Sequence, residues 1–570
     1  MHTMLGGFNH NFRSISSTPG RAVDPSEATK RVRRHSLVLY GLILLLGLLY
    51  LLTFSHVSSL DALYYFHNYE QGGLKNLLHP HHLVFEFSGK GWFELWRGLG
   101  YTGRVDLPAK TLSLAAAIVA LVIFARTLAL VFGTGFLTPA LLLVFGLSYN
   151  MWHMATEAEP VIFFILFSNS ILYLLLRLLL TGNARRSTGW ALGLVNAAGV
   201  LFHQELILAI PFCLAVLWKR IERPFRTRTL LTYLGVTCGI ILLAYWLAAT
   251  LGAGARGLGG MVHWVTSYRT EFAAGCGRFS PQTPVNTLRG AASMFLGGTA
   301  LKGWLSPGSA MNIRFVLAFL PFLGLALAVV LSLVSAFARL QSTRIPAPGL
   351  VILLVVWLVV FAGFAAWWMP QNRNFWAPVL PALVLLCGLG LETASGRSAA
   401  SQWRRIALVV WILALLGGNL FGGILQKHSQ SDARQELAVR LSRIWEKGDL
   451  LLLPLDRTCL AMTFYHPEIR CVGLEPGLVQ QGTRLVAGMP ALSDTEADST
   501  WTTAASAAYQ TMLSGNRVLV SSDLVPQFAM YVSNFMPAGS QTRLVDLFEF
   551  SDSVVPQDQK KLFELRLEPR

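Results

Sequence analysis

Charge is what this chain of 570 residues has least of: Asp, Glu, Lys and Arg together make up 13% of it, against 53% hydrophobic residues. Ordinary water-soluble domains carry roughly twice that charged fraction, so the scarcity excludes a purely soluble fold. Cysteine is sparse too, and the six present include no CxxC pair of the kind that clips zinc. Cys213, Cys238 and Cys387 fall within apolar runs, where a thiol packs as a small hydrophobe. Cys459 and Cys471 lie together in a polar stretch, where an oxidising compartment would permit a disulfide. No glycine-rich loop followed by a basic residue is present, so no soluble nucleotide pocket is expected. Internal repeats and long low-complexity tracts are likewise missing.

What the chain does have is a series of apolar runs that reach the ~20 residues needed to cross a bilayer. Spans are predicted near 37–54, 109–132, 137–153, 160–181, 189–203, 205–218, 229–251, 313–338, 349–368, 375–392 and 406–426. The first is too long for the core of a cleaved leader and has no small-residue cleavage site, so it is expected to be retained. The net charge of +16 would suit a nucleic-acid partner, but its placement argues otherwise. Lys30, Arg31, Arg33 and Arg34 precede the first run; Arg185 and Arg186, then Lys219, Arg220, Arg223, Arg226 and Arg228, then Arg339 and Arg344, then Arg397, Arg404 and Arg405 occupy short connections. With all of these cytoplasmic the positive-inside rule is met throughout, with about eleven crossings, the amino end inside and the carboxyl end outside. The weakly apolar 80–100 segment then reads as an interfacial helix rather than a crossing.

The expected fold is a polytopic α-helical membrane protein with a C-terminal extracytoplasmic α/β domain. Residues 1–34 read as a disordered cytoplasmic tail. Residues 35–426 form the transmembrane domain, with long outer loops at 55–108 and 252–312, and 427–570 the soluble domain. In the latter, 432–446 and 499–514 have helical periodicity, and 449–454, 517–522 and 543–550 look like strands.

Polar residues gather in the outer loops. Asp61 follows the first span by a few residues, in a stretch that also supplies Tyr64, Tyr65, Lys75, His79, His81 and His82. A carboxylate near the hydrocarbon boundary is costly unless used, although Asp also caps helices well. Pro80 suits the first turn of a helix on which His79, His82 and Glu86 would share a face able to hold a metal or meet a phosphate. Glu157 and Glu159 stand just before Pro160 at the start of a span. One of them suffices to complement the helix dipole, which leaves the other for a cation or an acceptor. His203, Gln204 and Glu205 sit between two short spans, and the loop 252–312 carries His263, Tyr268, Arg269 and Glu271. Arg373 is a cation on the outer side, against the positive-inside trend, which suits an anion such as a phosphate.

Four local matches make the chain resemble the GT-C class of integral-membrane glycosyltransferases, in the branch of the protein O-mannosyltransferases and the aminoarabinose transferases of lipid A. They are Asp61 closely following the first span; His79-Pro80; Thr156-Glu157-Ala158-Glu159-Pro160 entering a span; and 374–381, which resembles an Arg-Tyr-x-x-Pro-x-x-Pro element. Asn374 stands where that family usually has Arg, with Arg373 one residue earlier, and Ala158 where it often has Arg. The resemblance covers about 1–426. It implies an inverting transferase that moves a sugar from a polyprenyl-phosphate donor to an extracytoplasmic acceptor, in the inner (plasma) membrane. Asp61 would be the base. Arg373, Arg269, His79 and His82 would meet the donor phosphate, Glu157 or Glu159 the acceptor or a divalent metal, with His203 and Tyr65 as further site residues. A lipid-linked glycan polymerase or ligase would not need a carboxylate directly after the first span. A transporter would show repeated halves and broken helices at the bilayer midplane.

Overall fold

A computed structural model describes residues 25–182, 187–252, 254–271, 276–297, 348–393, 398–429, 432–453, 456–474, 494–522, 524–525, 540–551 and 559–569. Among these, six helical runs are long and apolar enough to cross a membrane: Thr29–Leu52, Asp106–Phe132, Val161–Thr181, Arg223–Leu251, Gly349–Trp368 and one that begins at Arg405. Leu137–Leu147, Ser187–Phe202 and Val379–Glu392 are shorter apolar helices. The protein is a polytopic helical membrane protein. The expected span at 313–338, and the basic residues Arg185, Arg186, Arg339, Arg344 and Arg397 used to orient the chain, lie outside the described residues.

The first helix starts at Pro25 and runs to Leu52. Residues 25–34, which composition assigns to a disordered tail, are therefore helical; proline fits a first helical turn because its missing N–H would be unpaired there anyway. Side chains on the lipid-facing surfaces of the long helices stay exposed, as with Leu44 and Leu231, while Trp152, Trp357 and Tyr233 are buried where helices meet. Ser187–Phe202 packs closely on Arg223–Leu251 because Gly189 and Gly193 face it. A Cβ at Gly189 would fall 2.8 Å from the Thr229 carbonyl oxygen, and one at Gly193 3.0 Å from Val236.

The carboxy-terminal part holds one five-stranded sheet, in the order β2-β1-β3-β5-β4. Strands β1 (Leu450–Leu453), β2 (Cys471–Gly473) and β3 (Val518–Ser521) run parallel; β4 (Ser540–Ser551) and β5 (Gln559–Pro569) complete it antiparallel. All four leucines of β1 are buried, as expected of a central parallel strand covered on both faces. A disulfide joins Cys459, on the helix Asp456–Tyr465, to Cys471 on β2.

This sheet unit is docked against the helix that carries Asp61. Phe464 stacks on Phe66 with ring centroids 5.6 Å apart. Arg104 donates from Nη2 to the Phe464 carbonyl at 2.7 Å, with its guanidinium 3.9 Å from that ring. Leu437, Leu441, Leu451 and Phe464 belong to the same continuous apolar core as Tyr50, Phe66 and Trp152.

Candidate active site

Asp61 lies in the first turn of the helix Leu60–Gln71, and its capping duty is taken by a neighbour. Ser59 is the N-cap: its Oγ accepts from Ala62 N at 3.0 Å and donates to Glu159 Oε1 at 2.5 Å. The backbone N–H of Ser59 donates to Glu157 Oε2 at 3.2 Å. One serine thus fixes the turn bearing Asp61 to both carboxyls of the second outer loop. Asp61 is exposed, whereas Glu157 and Glu159 are buried.

Glu159 reports what surrounds it. Burial pushes its carboxyl up to about 8; the negative charges of Asp61 and Glu157 push the same way, while the Ser59 hydrogen bond and the Arg373 cation oppose them. Groups from three separate turns are therefore felt at one carboxyl: Asp61, Glu157 and Arg373 all act on Glu159. Tyr65, one turn beyond Asp61, is buried and feels Asp61, Glu159 and Glu86. Arg373 opens a 3₁₀ turn, Arg373–Trp376, in which Asn374 N donates to the capping Asn372 Oδ1 at 3.0 Å and Trp376 donates to the Pro370 carbonyl at 3.0 Å. Its guanidinium stands 4.9 Å from the centre of the Tyr149 ring, and its Nε is buried with no hydrogen-bond partner among the described residues. Tyr149 stacks on His153 at 5.2 Å.

Three participants that the sequence does not single out come from the segment after the last apolar helix. Lys427 Nζ lies 3.3 Å from His153 Nε2 and 3.9 Å from Glu157 Oε1. Its carbonyl accepts the N–H groups of His56 and Val57 at 2.9 and 3.3 Å. His428 Nδ1 donates to the Phe54 carbonyl at 2.7 Å. Arg434, clamped on Asp432 through two nitrogens, donates to the Ser58 carbonyl at 2.6 Å. Lys110, buried at the head of Asp106–Phe132, donates to the Ser55 carbonyl at 2.7 Å. The loop between the first span and Asp61 is therefore pinned along most of its length.

The histidines form a separate group. His79, His81 and His82 lie with ring centroids 5.9–6.0 Å apart, and His203 is 5.2 Å from His82. The expected continuous helix from Pro80 is not formed. A 3₁₀ turn, Pro80–His82, ends there, and a new helix begins at Phe85. Glu86 consequently turns away from the histidines, to Asn68 Nδ2 at 2.7 Å, and His79, His82 and Glu86 share no face. Burial pushes His79 down to about 4 and His81 and His203 to about 3. Neutral rings can meet a phosphate only as hydrogen-bond donors, not as cations. His203 stacks on Phe164 at 4.0 Å and stands edge-on to Phe375, two residues from Arg373, at 6.1 Å. The side chain of Arg269 lies outside the described residues.

A divalent metal does not fit Glu157 and Glu159 as they stand. Glu157 is engaged by the Ser59 N–H and faces Lys427, while Glu159 gives Oε1 to Ser59 and is held in its protonated form. A cation wants ionised oxygens turned toward a common point. Among the described residues, no group of three or more His, Cys, Asp or Glu side chains is placed to hold a metal ion.

Compared with solved structures, the chain matches ArnT from Cupriavidus metallidurans bound to undecaprenyl phosphate over 93% of its own length and 97% of that chain, with TM-score 0.54 and 12% identity. The apo state of the same protein matches over 94% and 98%, with TM-score 0.51 and 12% identity. The chain has the fold of ArnT. The likeness extends across the sheet unit as well as the helices, since so little of either chain is left over, and it places this protein structurally beside the GT-C glycosyltransferases that the sequence resembles. At this identity ArnT vouches for the fold and not for individual site residues. Archaeoglobus fulgidus AglB in complex with an inhibitory peptide and a dolichol-phosphate matches with TM-score 0.46 and 11% identity, over 92% of this chain and 75% of its own. No family model and no curated protein sequence matches the chain.

Proposed function

We propose that the chain is an inverting glycosyltransferase that moves a sugar from a polyprenyl-phosphate donor to an extracytoplasmic acceptor. The observation that carries this reading is the meeting of Asp61 with Glu157, Glu159 and Arg373 just beyond the first span, in a chain with the fold of ArnT, a protein solved with undecaprenyl phosphate. Displacement at an anomeric carbon needs a base for the acceptor's proton, and the exposed Asp61 carboxylate is suited to that. Glu159, kept protonated, does not compete for that proton and can donate a hydrogen bond, so two neighbouring carboxyls take different roles. The bond from sugar to phosphate breaks as the new glycosidic bond forms, and charge builds on the departing phosphate. Preorganised cations are most effective where that charge appears, and Arg373 is placed for it. Single displacement inverts the anomeric centre.

On this reading the first helix is retained with its basic head inside, and the site opens on the outer face of an inner or plasma membrane. The Cys459–Cys471 disulfide supports the same side for the sheet unit, since such bonds persist in oxidising compartments. The deciding experiment is Asp61→Asn in purified protein supplied with polyprenyl-phosphate sugars. Transfer should fall by about 10²–10⁴-fold with the melting temperature unchanged. Transfer at the wild-type rate would remove Asp61 as base, and solute flux without any glycosidic bond formed would favour a transporter.

A further inference from the structure

Building on the proposed reaction, we infer that Lys427 is the second cation on the donor's phosphate, held by Glu157 until the lipid arrives.

The helix Ser398–Asn419 continues into a π-helical stretch, Leu420–Ile424, before a last short helical turn, Leu425–Ser429. Inserted π turns re-aim the residues that follow them and recur at functional sites. This one is anchored by Asn419, fully buried, whose Nδ2 donates to the carbonyls of Leu147 and Phe295 at 2.7 Å each while its Oδ1 accepts from Gly297 N at 3.1 Å. The anchored turn brings Lys427 to Glu157 and His153, with 27% of its side chain still accessible.

The other cations nearby are already used. Arg434 is spent on Asp432 and the Ser58 carbonyl, and Lys110 on the Ser55 carbonyl. Lys427 is not. Of its three ammonium protons, one faces His153 Nε2, and Glu157 Oε1 at 3.9 Å is beyond hydrogen-bond reach. Glu157 Oε1 correspondingly has no hydrogen-bond partner among the described residues. A pair held this loosely stabilises both charges and still leaves the ammonium ready for a better acceptor. Lys427 and Arg373 stand against the same stacked ring pair, Lys427 at His153 Nε2 and Arg373 over the Tyr149 ring, and their charges act on each other. Like charges gathered in this way are stabilised by an anion between them, and a phosphate oxygen accepts from both an ammonium and a guanidinium. Once Lys427 turns to that phosphate, Glu157 loses its cation and is free to accept a hydrogen bond from the incoming acceptor.

The test measures binding of undecaprenyl phosphate, with undecaprenol as the uncharged control, to the full-length protein in nanodiscs. Wild type should prefer the phosphate. Lys427→Gln should lose about tenfold or more of that preference, with undecaprenol binding unmoved, because one charged hydrogen bond is removed. Lys427→Arg should keep part of it. Glu157→Gln, which releases the lysine, should tighten phosphate binding and leave undecaprenol alone. A wild-type preference that survives Lys427→Gln intact overturns the inference while leaving the glycosyltransferase reading standing. Should Lys427→Gln fail to fold, unchanged phosphate affinity in Glu157→Gln overturns it instead. No preference for phosphate over alcohol in wild type would sink the donor assignment itself, and this inference with it.

Discussion

Replacing Glu159 by glutamine should change how the protein's stability depends on pH. The carboxyl is buried at 5% exposure and held up to about 8 rather than at its ordinary 4.5. Below pH 4.5 the folded and unfolded chains both carry the proton, and the site costs nothing. As pH rises through that value the unfolded chain releases the proton while the folded chain keeps it. Folding is then opposed by proton uptake, and stability falls with pH until about 8, where the folded carboxyl also ionises. At about 1.4 kcal/mol per unit, the full span is worth about 5 kcal/mol at most. Glutamine keeps the volume and the acceptor for the Ser59 hydroxyl, and it has nothing to titrate. Wild type and Glu159→Gln should therefore melt similarly near pH 5, and the variant should melt several degrees higher at pH 8.5. Glu86, raised to about 7, and the histidines, lowered, titrate in both proteins and cancel from the comparison. Thermal melts in detergent at pH 5, 7 and 8.5 read the difference. Parallel losses of melting temperature across that range would show that Glu159 is ionised in the fold and that the division of roles between Asp61 and Glu159 is mistaken.

Arg434→Met should cost about 3–5 kcal/mol, because it leaves Asp432 buried without its cation and the Ser58 carbonyl without its donor; an unchanged melt would mean that the segment after the last span does not hold the Asp61 loop. Reducing the Cys459–Cys471 bond, or replacing both residues by serine, should lower stability by about 2–4 kcal/mol, read as equal falls in melting temperature from the reductant and the double variant. Gly89→Ala would place a Cβ 2.2 Å from the Tyr69 ring, which must swing aside; a loss of about 1–3 kcal/mol is expected, and none would mean that Tyr69 moves without resistance.

Asp61, Glu157, Glu159 and Arg373 were each legible because a charged residue beside a membrane span is expensive, so its presence in a short loop is informative on its own. Lys427 carries the same signal. On the proposed topology it is a cation on the side of the membrane where the positive-inside rule expects few, as Arg373 is. The change of composition at just that point masks it, because the break reads as the start of an accessory domain. Ser59 was overshadowed by Asp61, two residues on, which is also a good capping residue. The π turn leaves only faint marks, the pair Gly422-Gly423 after Asn419, since a single inserted residue does not disturb apolar periodicity. In the sheet, β2 has three residues, too few to show an alternation, and β5 is a long strand with charges on both faces. The break of the His79–Glu86 stretch into two turns is a tertiary effect: Gln204 Nε2 and the Tyr245 hydroxyl each donate to the Pro80 carbonyl at 2.7 Å, and both come from sequence far away.

The proposed chemistry moves charge without creating any. With Glu159 protonated, the carboxyls of Asp61 and Glu157 stand against the cations of Arg373 and Lys427. A lipid phosphosugar is a phosphodiester and brings one negative charge. When the acceptor's proton passes to Asp61 and the sugar leaves, that carboxylate becomes neutral and the phosphate, now a monoester, takes a second negative charge. The total in the chamber is the same before and after. What changes is its place: one unit of charge passes from the head of the Leu60–Gln71 helix to the phosphate beside the cations. An electrostatic field fixed in advance accelerates such a shift only if its ends cannot drift toward each other. Here the acidic end is pinned by Ser59, Arg434 and the Lys427 carbonyl, and the basic end by the capped turn at Arg373 and the Asn419 anchor. The segment 427–434 takes part in both. That is why loss of the Arg434 and Lys427-carbonyl contacts that pin the acidic end should lower the rate of transfer more than it lowers affinity for the donor.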